Sequence, residues 1–115
     1  MRFKVILALV NDDFQEGVIS AAKEAGATGA TILNARGEGI HDRQSFLGLS
    51  VESQKDMLLF LVEDFHSDKI MEAIYRAGKL GEPGNGIAFS MPVDRAIGLE
   101  SQLPTMEHEA KDSYF

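Results

Sequence analysis

The spacing of apolar and polar positions divides the chain into two similar halves. Residues 3–10 place apolar side chains at alternate positions, a period of two that is typical of a strand. Residues 14–25 then carry apolar side chains at helical spacing, with Asn11 or Asp12 as candidate caps and a glycine at the end. Residues 28–36 follow as a second strand. The first half therefore predicts a β-α-β unit.

The second half repeats this order after a polar stretch without a clear period. Residues 57–62 form a continuous apolar run, which indicates a strand buried on both faces. Ser67 is the predicted cap of a helix whose apolar stripe lies within residues 70–77. Residues 87–91 alternate as a fourth strand, and Pro92 ends it.

The order β-α-β, long loop, β-α-β predicts the ferredoxin-like α+β fold. In this βαββαβ arrangement a four-stranded antiparallel sheet carries both helices on one face. The second face is usually polar in a monomer. Here residues 57–62 are apolar on both faces, so we expect self-association to bury the second face. We assign residues 1–100 to one domain and residues 101–115 to a polar C-terminal tail.

A glycine-rich stretch separates the second helix from the fourth strand. Residues 78–86 hold four of the 11 glycines, and Gly-Glu-Pro-Gly-Asn-Gly at 81–86 suits neither a helix nor a strand interior. Such a loop leaves backbone N–H groups reachable, so it can bind an anionic ligand. Turn chemistry between a helix and a strand explains the same residues.

Composition excludes several classes of protein. A length of 115 residues suits one domain, and the absence of cysteine excludes disulfides and thiolate metal sites. No apolar run approaches a membrane span. The short apolar start is followed by Asn11-Asp12-Asp13, not by a cleavage site, so we expect a cytoplasmic protein. A net charge of -7 argues against nucleic-acid binding. The three histidines lack ligand spacing, so we expect no metal site.

Three segments resemble the nitrogen-regulatory PII signal protein family. Gly-Ala-Thr-Gly-Ala-Thr at 26–31, leading to Gly-Glu-Gly at 37–39, is similar to the family's G-I-T-G-x-T followed by G-F-G. Gly-Lys-Leu-Gly at 78–81 is similar to its T-G-K-I-G. Phe-Ser-Met-Pro-Val-Asp-Arg-Ala-Ile at 89–97 is similar to its F-V-x-P-V-E-x-A-I. The resemblance covers residues 1–100.

This resemblance implies a homotrimer with nucleotide clefts between subunits. The cleft would involve residues 79–86, the counterpart of the family's B-loop, and the base of residues 38–54, the counterpart of its T-loop. The T-loop would regulate a partner protein, such as a membrane transporter or an enzyme, in nitrogen regulation. The implied ligand-binding residues are Gly29, Thr31, Gly37, Gly39, Lys79, Gly81, Gly84 and Gly86. Phe46, Leu47 and Leu49 would contact a partner or a neighbouring subunit.

Each of these residues also has a simpler interpretation. Gly37 and Gly39 suit a turn, and Gly29 and Thr31 are ordinary residues at the start of a strand. Lys79 suits equally a charge at the C-terminal end of a helix.

Departures from the family pattern narrow the range of nucleotides that we expect to bind. Residues 38–54 contain no tyrosine, so the family's uridylylation site is absent. The B-loop counterpart is longer, and Ile87, Gly98 and Glu100 replace three phosphate-binding cations. Because charge-assisted contacts are the strong ones for phosphates, we expect ADP or AMP rather than ATP.

Two other functions compete with this hypothesis. One is a structural trimer of the divalent-cation-tolerance type, which has the same architecture and no nucleotide sensing. The other is a small phosphate-ester hydrolase, for which Asn85 and Lys79 are a weak match. No catalytic motif is present, so we expect a protein that is not an enzyme.

Overall fold

The computed structural model describes residues 2–35, 45–46, 49–50 and 55–98. The predicted tail at 101–115 and most of residues 38–54 lie outside the described residues. The elements in chain order are β1 (Phe3–Asn11), a 3-10 turn (Asp12–Phe14), α1 (Gln15–Glu24), β2 (Thr31–Ala35), β3 (Ser45–Phe46), β4 (Leu49–Ser50), β5 (Lys55–Glu63), α2 (Asp64–Ala77) and β6 (Gly86–Pro92).

The main sheet has the strand order β2-β5-β1-β6, and each pair of neighbouring strands is antiparallel. β1 is therefore central, with Leu7 opposite Leu59 of β5 on one side and Phe89 of β6 on the other. Strands β3 and β4 form a separate two-residue pair within the long loop. The sheet and its two helices confirm the predicted α+β fold.

Both helices pack on the face formed by even-numbered residues of β1 and β5. The period of two in the strands and the wider helical period bring these apolar side chains into one layer. Burying each large apolar side chain contributes about 1.5–3 kcal/mol to the stability of the fold. The fully or almost fully buried members are Ile6, Ala8, Val10, Val18, Ala22, Leu58, Phe60, Val62, Ile70 and Ile74.

Three predicted boundaries are wrong. Strand β2 begins at Thr31, three residues after its predicted start, and the other two boundaries lie near β5. Strand β5 begins at Lys55, two residues before the apolar run, so Lys55 and Asp56 are strand residues and are buried. Helix α2 begins at Asp64, three residues before the predicted cap. The Ser67 hydroxyl donates to the Asp64 carbonyl at 2.9 Å, so it lies inside the first turn instead of capping it.

The opposite face of the sheet is also apolar, as the sequence predicts. Its side chains are mostly half-buried, and Leu33 and Met91 at the two edges are 48% and 43% exposed. The registers align three rows across β6, β1 and β5, namely Met91–Val5–Leu61, Phe89–Leu7–Leu59 and Ile87–Leu9–Met57. Continuous apolar surfaces of this kind are characteristic of interaction faces.

No helix in the described part of the chain is long and apolar enough to cross a membrane.

Candidate functional site

The glycine-rich loop (residues 79–86) joins α2 to β6 at one end of the sheet. Gly84 has φ 81° and Gly86 has φ 142°, two conformations that side chains disfavour. A Cβ at Gly86 would collide with the carbonyl oxygen of Leu9, whereas one at Gly84 would meet nothing within 4 Å. Pairing of β6 with β1 therefore requires glycine at 86, and the free space at 84 leaves room for a ligand.

Two backbone N–H groups of this loop, those of Gly81 and Gly84, are available as donors, whereas those of Glu82 and Asn85 are already paired. Glu82 N–H donates to the Lys79 carbonyl at 3.1 Å, and Asn85 N–H donates to the Glu82 carbonyl at 3.3 Å. The N–H groups of Gly81 and Gly84 have no acceptor among the described residues. Both glycines are exposed. Exposed backbone N–H groups of a loop are donors that can bind anions.

A network of polar side chains ties the loop to the ends of β1 and β5. The Lys55 ammonium donates to the Asn11 side-chain oxygen and, at 2.9 Å, to the Gly84 carbonyl oxygen. Asn11 Nδ2 donates to Asn85 Oδ1 at 3.1 Å. Asn85 Nδ2 in turn donates to the Lys79 carbonyl at 3.0 Å. The loop is therefore held from below by residues far away in sequence.

Lys55 itself is 0% exposed. Burial lowers the pKa of its ammonium, because desolvation disfavours the charged form. Asn11, a predicted helix cap, makes no side-chain capping bond, and its amide belongs to this network instead.

A second buried polar group lies on the helix side of the same strand. Asp56 is 1% exposed and accepts a hydrogen bond from Gln15 Nε2 at 3.0 Å. Burial, together with a hydrogen bond and charge repulsion from Asp12, raises the pKa of the Asp56 carboxyl. Its protonated form therefore stabilises the fold below its unfolded pKa, about 3.9. That contribution is lost as the pH rises through the raised folded pKa.

Lys79 lies at the end of α2 and is exposed. It is the one described non-glycine residue with a positive φ, 52°, so it takes the left-handed position that follows a helix. Its ammonium lies 5.6 Å from the centroid of the Phe14 ring, a cation–π distance. The lysine is therefore the first residue of the loop and lies close to the 3-10 turn.

The structure does not bring all the predicted ligand residues together within one subunit. Gly29 and Thr31 lie just before and at the start of β2, one edge of the sheet, and the glycine-rich loop leads into β6, the other edge. Three strand spacings separate these edges, about 14 Å. A Cβ at Gly29 would meet nothing within 4 Å, so packing does not require a glycine there.

The remaining predicted residues belong to the long loop. Phe46 lies opposite Leu49 in the β3–β4 register. Gly37, Gly39 and Leu47 lie outside the described residues.

Two of the three positions where the family's cations are replaced can be located. Ile87 lies in β6 opposite Leu9, half-buried on the apolar face. Gly98 is exposed with φ 84°. Glu100 lies outside the described residues. Neither described position supplies a positive charge near the loop.

Sequence reasoning named neither Asn11 nor Lys55 as a residue that holds the loop. Extending the period of two by one step before residue 57 would have placed Lys55 on the apolar face of β5, which is an unusual place for a lysine. Nothing local distinguishes Asn11, because it is an ordinary candidate cap. No group of three or more metal-ligating side chains comes together in the ranges that the structure describes.

Comparisons with known proteins point to one family. The family model for nitrogen regulatory protein P-II matches residues 3–102. A "Nitrogen fixation nifHD region glnB-like protein 1" of Methanococcus maripaludis is 31% identical over 103 residues, covering 86% of this chain and 95% of the relative. "Nitrogen regulatory protein GlnK2" of Haloferax mediterranei is 29% identical over 103 residues, covering 85% and 84%. The structure of Arabidopsis thaliana PII bound to citrate aligns with a TM-score of 0.63 and 25% identity, covering 80% of this chain and 78% of that one.

Proposed function

Because the chain belongs to the nitrogen regulatory protein P-II family, we propose that it is a signal protein that senses an adenine nucleotide, ADP or AMP rather than ATP. The nucleotide phosphates bind at the glycine-rich loop. The protein is a regulator and not an enzyme, and its output is the behaviour of a partner protein.

The pair of unused N–H groups at Gly81 and Gly84 carries this proposal. They lie on an exposed loop held by a buried ammonium, so donors and positive charge lie at one end of the sheet. Exposed backbone N–H groups of loops bind phosphates and carboxylates. The related plant PII structure is bound to citrate, an anion.

The absence of cations at Ile87 and Gly98 supports the choice of ADP or AMP. A terminal phosphate adds negative charge that needs a charge-assisted partner. Within the described residues, Lys79 is the exposed cation of the loop, and Glu82 adds a carboxylate to the same loop. Each further phosphate of the nucleotide therefore adds little to the binding free energy.

The apolar sheet face and the separated edges support a homotrimer. Burial of the Leu7–Leu59–Phe89 row against other copies removes an apolar surface that a monomer exposes. Association also allows Thr31 of one subunit to approach the loop of another, which a single subunit does not achieve. Residues 1–100 form the assembling domain, and the cleft lies between subunits.

Residues 38–54 are the proposed output segment. Nucleotide binding favours one arrangement of this segment over others, and Phe46, Leu47 and Leu49 contact the partner in that arrangement. A membrane transporter or an enzyme fits this role. The cytoplasmic location stays a prediction.

A ligand panel on the purified protein tests the proposal. Thermal unfolding is measured with ATP, ADP, AMP, adenosine and 2-oxoglutarate, each with and without Mg²⁺. ADP or AMP at about 100 times its dissociation constant should stabilise the protein by about 2.7 kcal/mol, and ATP by less. Replacement of Gly84 by valine should abolish this shift, whereas Gly17→Ala, at an exposed helix position, should preserve it.

Two outcomes would overturn the proposal in different directions. A trimer that no adenine nucleotide stabilises would favour the structural alternative. Release of phosphate from the nucleotides or from phosphate esters would favour the hydrolase.

A further inference from the structure

Tyr75 is an aromatic residue of α2 whose side chain leans against the glycine-rich loop. The residue is 52% exposed, so packing in the core does not account for it. Its hydroxyl oxygen lies 2.5 Å, and its ring Cζ 3.2 Å, from the position that a Cβ would take at Gly81. The Leu80 N–H also donates to the Tyr75 carbonyl at 3.1 Å. The phenol therefore ends at the first glycine of the loop.

This contact explains why residue 81 is a glycine. Unlike Gly84 and Gly86, Gly81 does not have a left-handed φ, so its backbone conformation suits other residues as well. The Tyr75 hydroxyl occupies the place of a side chain at this position. Residues 75 and 81 are therefore a matched pair, in which the absence of one side chain makes room for the hydroxyl of the other.

The hydroxyl lies close to an N–H group that has no acceptor. Among the described residues, neither the Gly81 N–H nor the Tyr75 hydroxyl has a hydrogen-bond partner. Only the Cα–Cβ and N–Cα bonds separate the Cβ position from the Gly81 nitrogen, so the hydroxyl oxygen lies at most about 5.5 Å from that nitrogen. Each donor reaches an acceptor at about 2.5–3.2 Å. Both can therefore donate to oxygens of one phosphate group.

We propose that Tyr75 is a ligand-binding residue of this site, whose hydroxyl donates a hydrogen bond to the phosphate group that the Gly81 N–H also binds. This inference rests on the proposed function, since it adds a side-chain donor to the same loop. Hydrogen bonds to a charged acceptor are stronger than those between neutral groups. The hydroxyl therefore contributes to recognition of the phosphate and not of the adenosine part of the ligand.

Tyr75→Phe removes the hydroxyl and keeps the ring. Binding of ADP, inorganic pyrophosphate and adenosine is measured by isothermal titration calorimetry. The dissociation constants of ADP and pyrophosphate should rise roughly tenfold, because a hydrogen bond to a charged group is lost. That of adenosine should not change. Tyr114→Phe, which removes the hydroxyl of the other tyrosine, should alter none of the three. Unchanged binding of ADP and pyrophosphate by Tyr75→Phe would overturn the proposal, and so would an equal loss for adenosine.

Tyrosine fluorescence reports on the contact itself. The chain has two tyrosines and no tryptophan, so Tyr75 is the only strong emitter in the Tyr114→Phe variant. Pyrophosphate should change its emission, with a midpoint at the dissociation constant found by calorimetry. Binding of pyrophosphate without any change in the Tyr75 emission would contradict a direct hydrogen bond.

Gly81→Ala tests where the hydroxyl acts. The new methyl group would displace the phenol, because the end of a side chain moves more readily than the backbone. In the Gly81→Ala background, Tyr75→Phe should therefore have little further effect on pyrophosphate affinity, a non-additivity that a double-mutant cycle measures. Fully additive losses would show that the hydroxyl acts from another place.

The pyrophosphate and nucleotide measurements separate this inference from the proposed function. If the wild-type protein binds pyrophosphate but no adenine nucleotide, the proposed function fails, and the pyrophosphate measurements still decide the role of Tyr75. If ADP binds equally well to the wild type and to Tyr75→Phe, the proposed function stands and the inference fails. Binding of neither ligand to the wild type would overturn both.

Discussion

Three glycine-to-alanine variants should have three different effects on stability, because the structure places each glycine in a different environment. Gly17 lies in α1, has ordinary helical geometry and has open space around its Cα. Alanine there should raise the free energy of unfolding by about 1 kcal/mol, the difference in helix propensity. Gly84 has open space but φ 81°. Alanine there should cost about 1–2 kcal/mol, the penalty for a left-handed residue.

Gly86→Ala should be the most damaging of the three. Its φ of 142° is unfavourable for alanine, and the new methyl group would collide with the Leu9 carbonyl in the neighbouring strand. Backbone strain contributes about 1–3 kcal/mol. The displaced pairing at Val10–Gly86 adds about 1 kcal/mol for each hydrogen bond lost. We therefore expect a loss of about 2–4 kcal/mol.

Urea unfolding followed by circular dichroism measures all three variants. The protomer concentration is kept constant, because association would shift the apparent stability. If the slope of the unfolding free energy against urea concentration is equal in all variants, differences between their transition midpoints report differences in stability alone. The reasoning would be refuted if Gly86→Ala were no more destabilising than Gly84→Ala, or if Gly17→Ala lowered stability.

Three further predictions concern other parts of the molecule. Asp56→Asn should raise the free energy of unfolding at neutral pH, with a gain that shrinks as the pH falls toward about 4, since protonation then neutralises the wild-type carboxyl as well. Leu59→Glu, in the middle row of the apolar face, should dissociate the proposed homotrimer, as measured by sedimentation velocity. Glu72→Ala removes an ion pair to Arg76 in which the two side chains are 60% and 77% exposed, and should change stability by less than about 0.5 kcal/mol in urea unfolding.

Each of these predictions has a matched control. Asp13→Asn changes an exposed carboxyl near the same turn and should not reproduce the pH-dependent gain. Tyr75→Glu introduces the same charge as Leu59→Glu on an exposed helix position and should leave the assembly intact. Association that survives Leu59→Glu, or a large effect of Glu72→Ala, would contradict the corresponding argument.

Local patterns in the sequence were sufficient for the fold class. The period of two in residues 3–10, the continuous apolar run at 57–62 and the helical stripe of α2 each depend on neighbours within one element. Their order then restricts the topology, and the family matches confirm it. The apolar second face was also predicted, since residues 57–62 show it without any knowledge of the partner strands.

The polar end of the sheet was decided by tertiary structure alone. Asn11 and Asn85 are 74 residues apart, and Lys55 reaches Gly84 across 29 residues. No local period records such contacts, because a polar residue at the end of a strand looks the same whether it is solvated or buried. Likewise, the need for glycine at 86 arises from the Leu9 carbonyl on another strand. The sequence therefore predicts where the elements form, and only their packing determines how the glycine-rich loop is held.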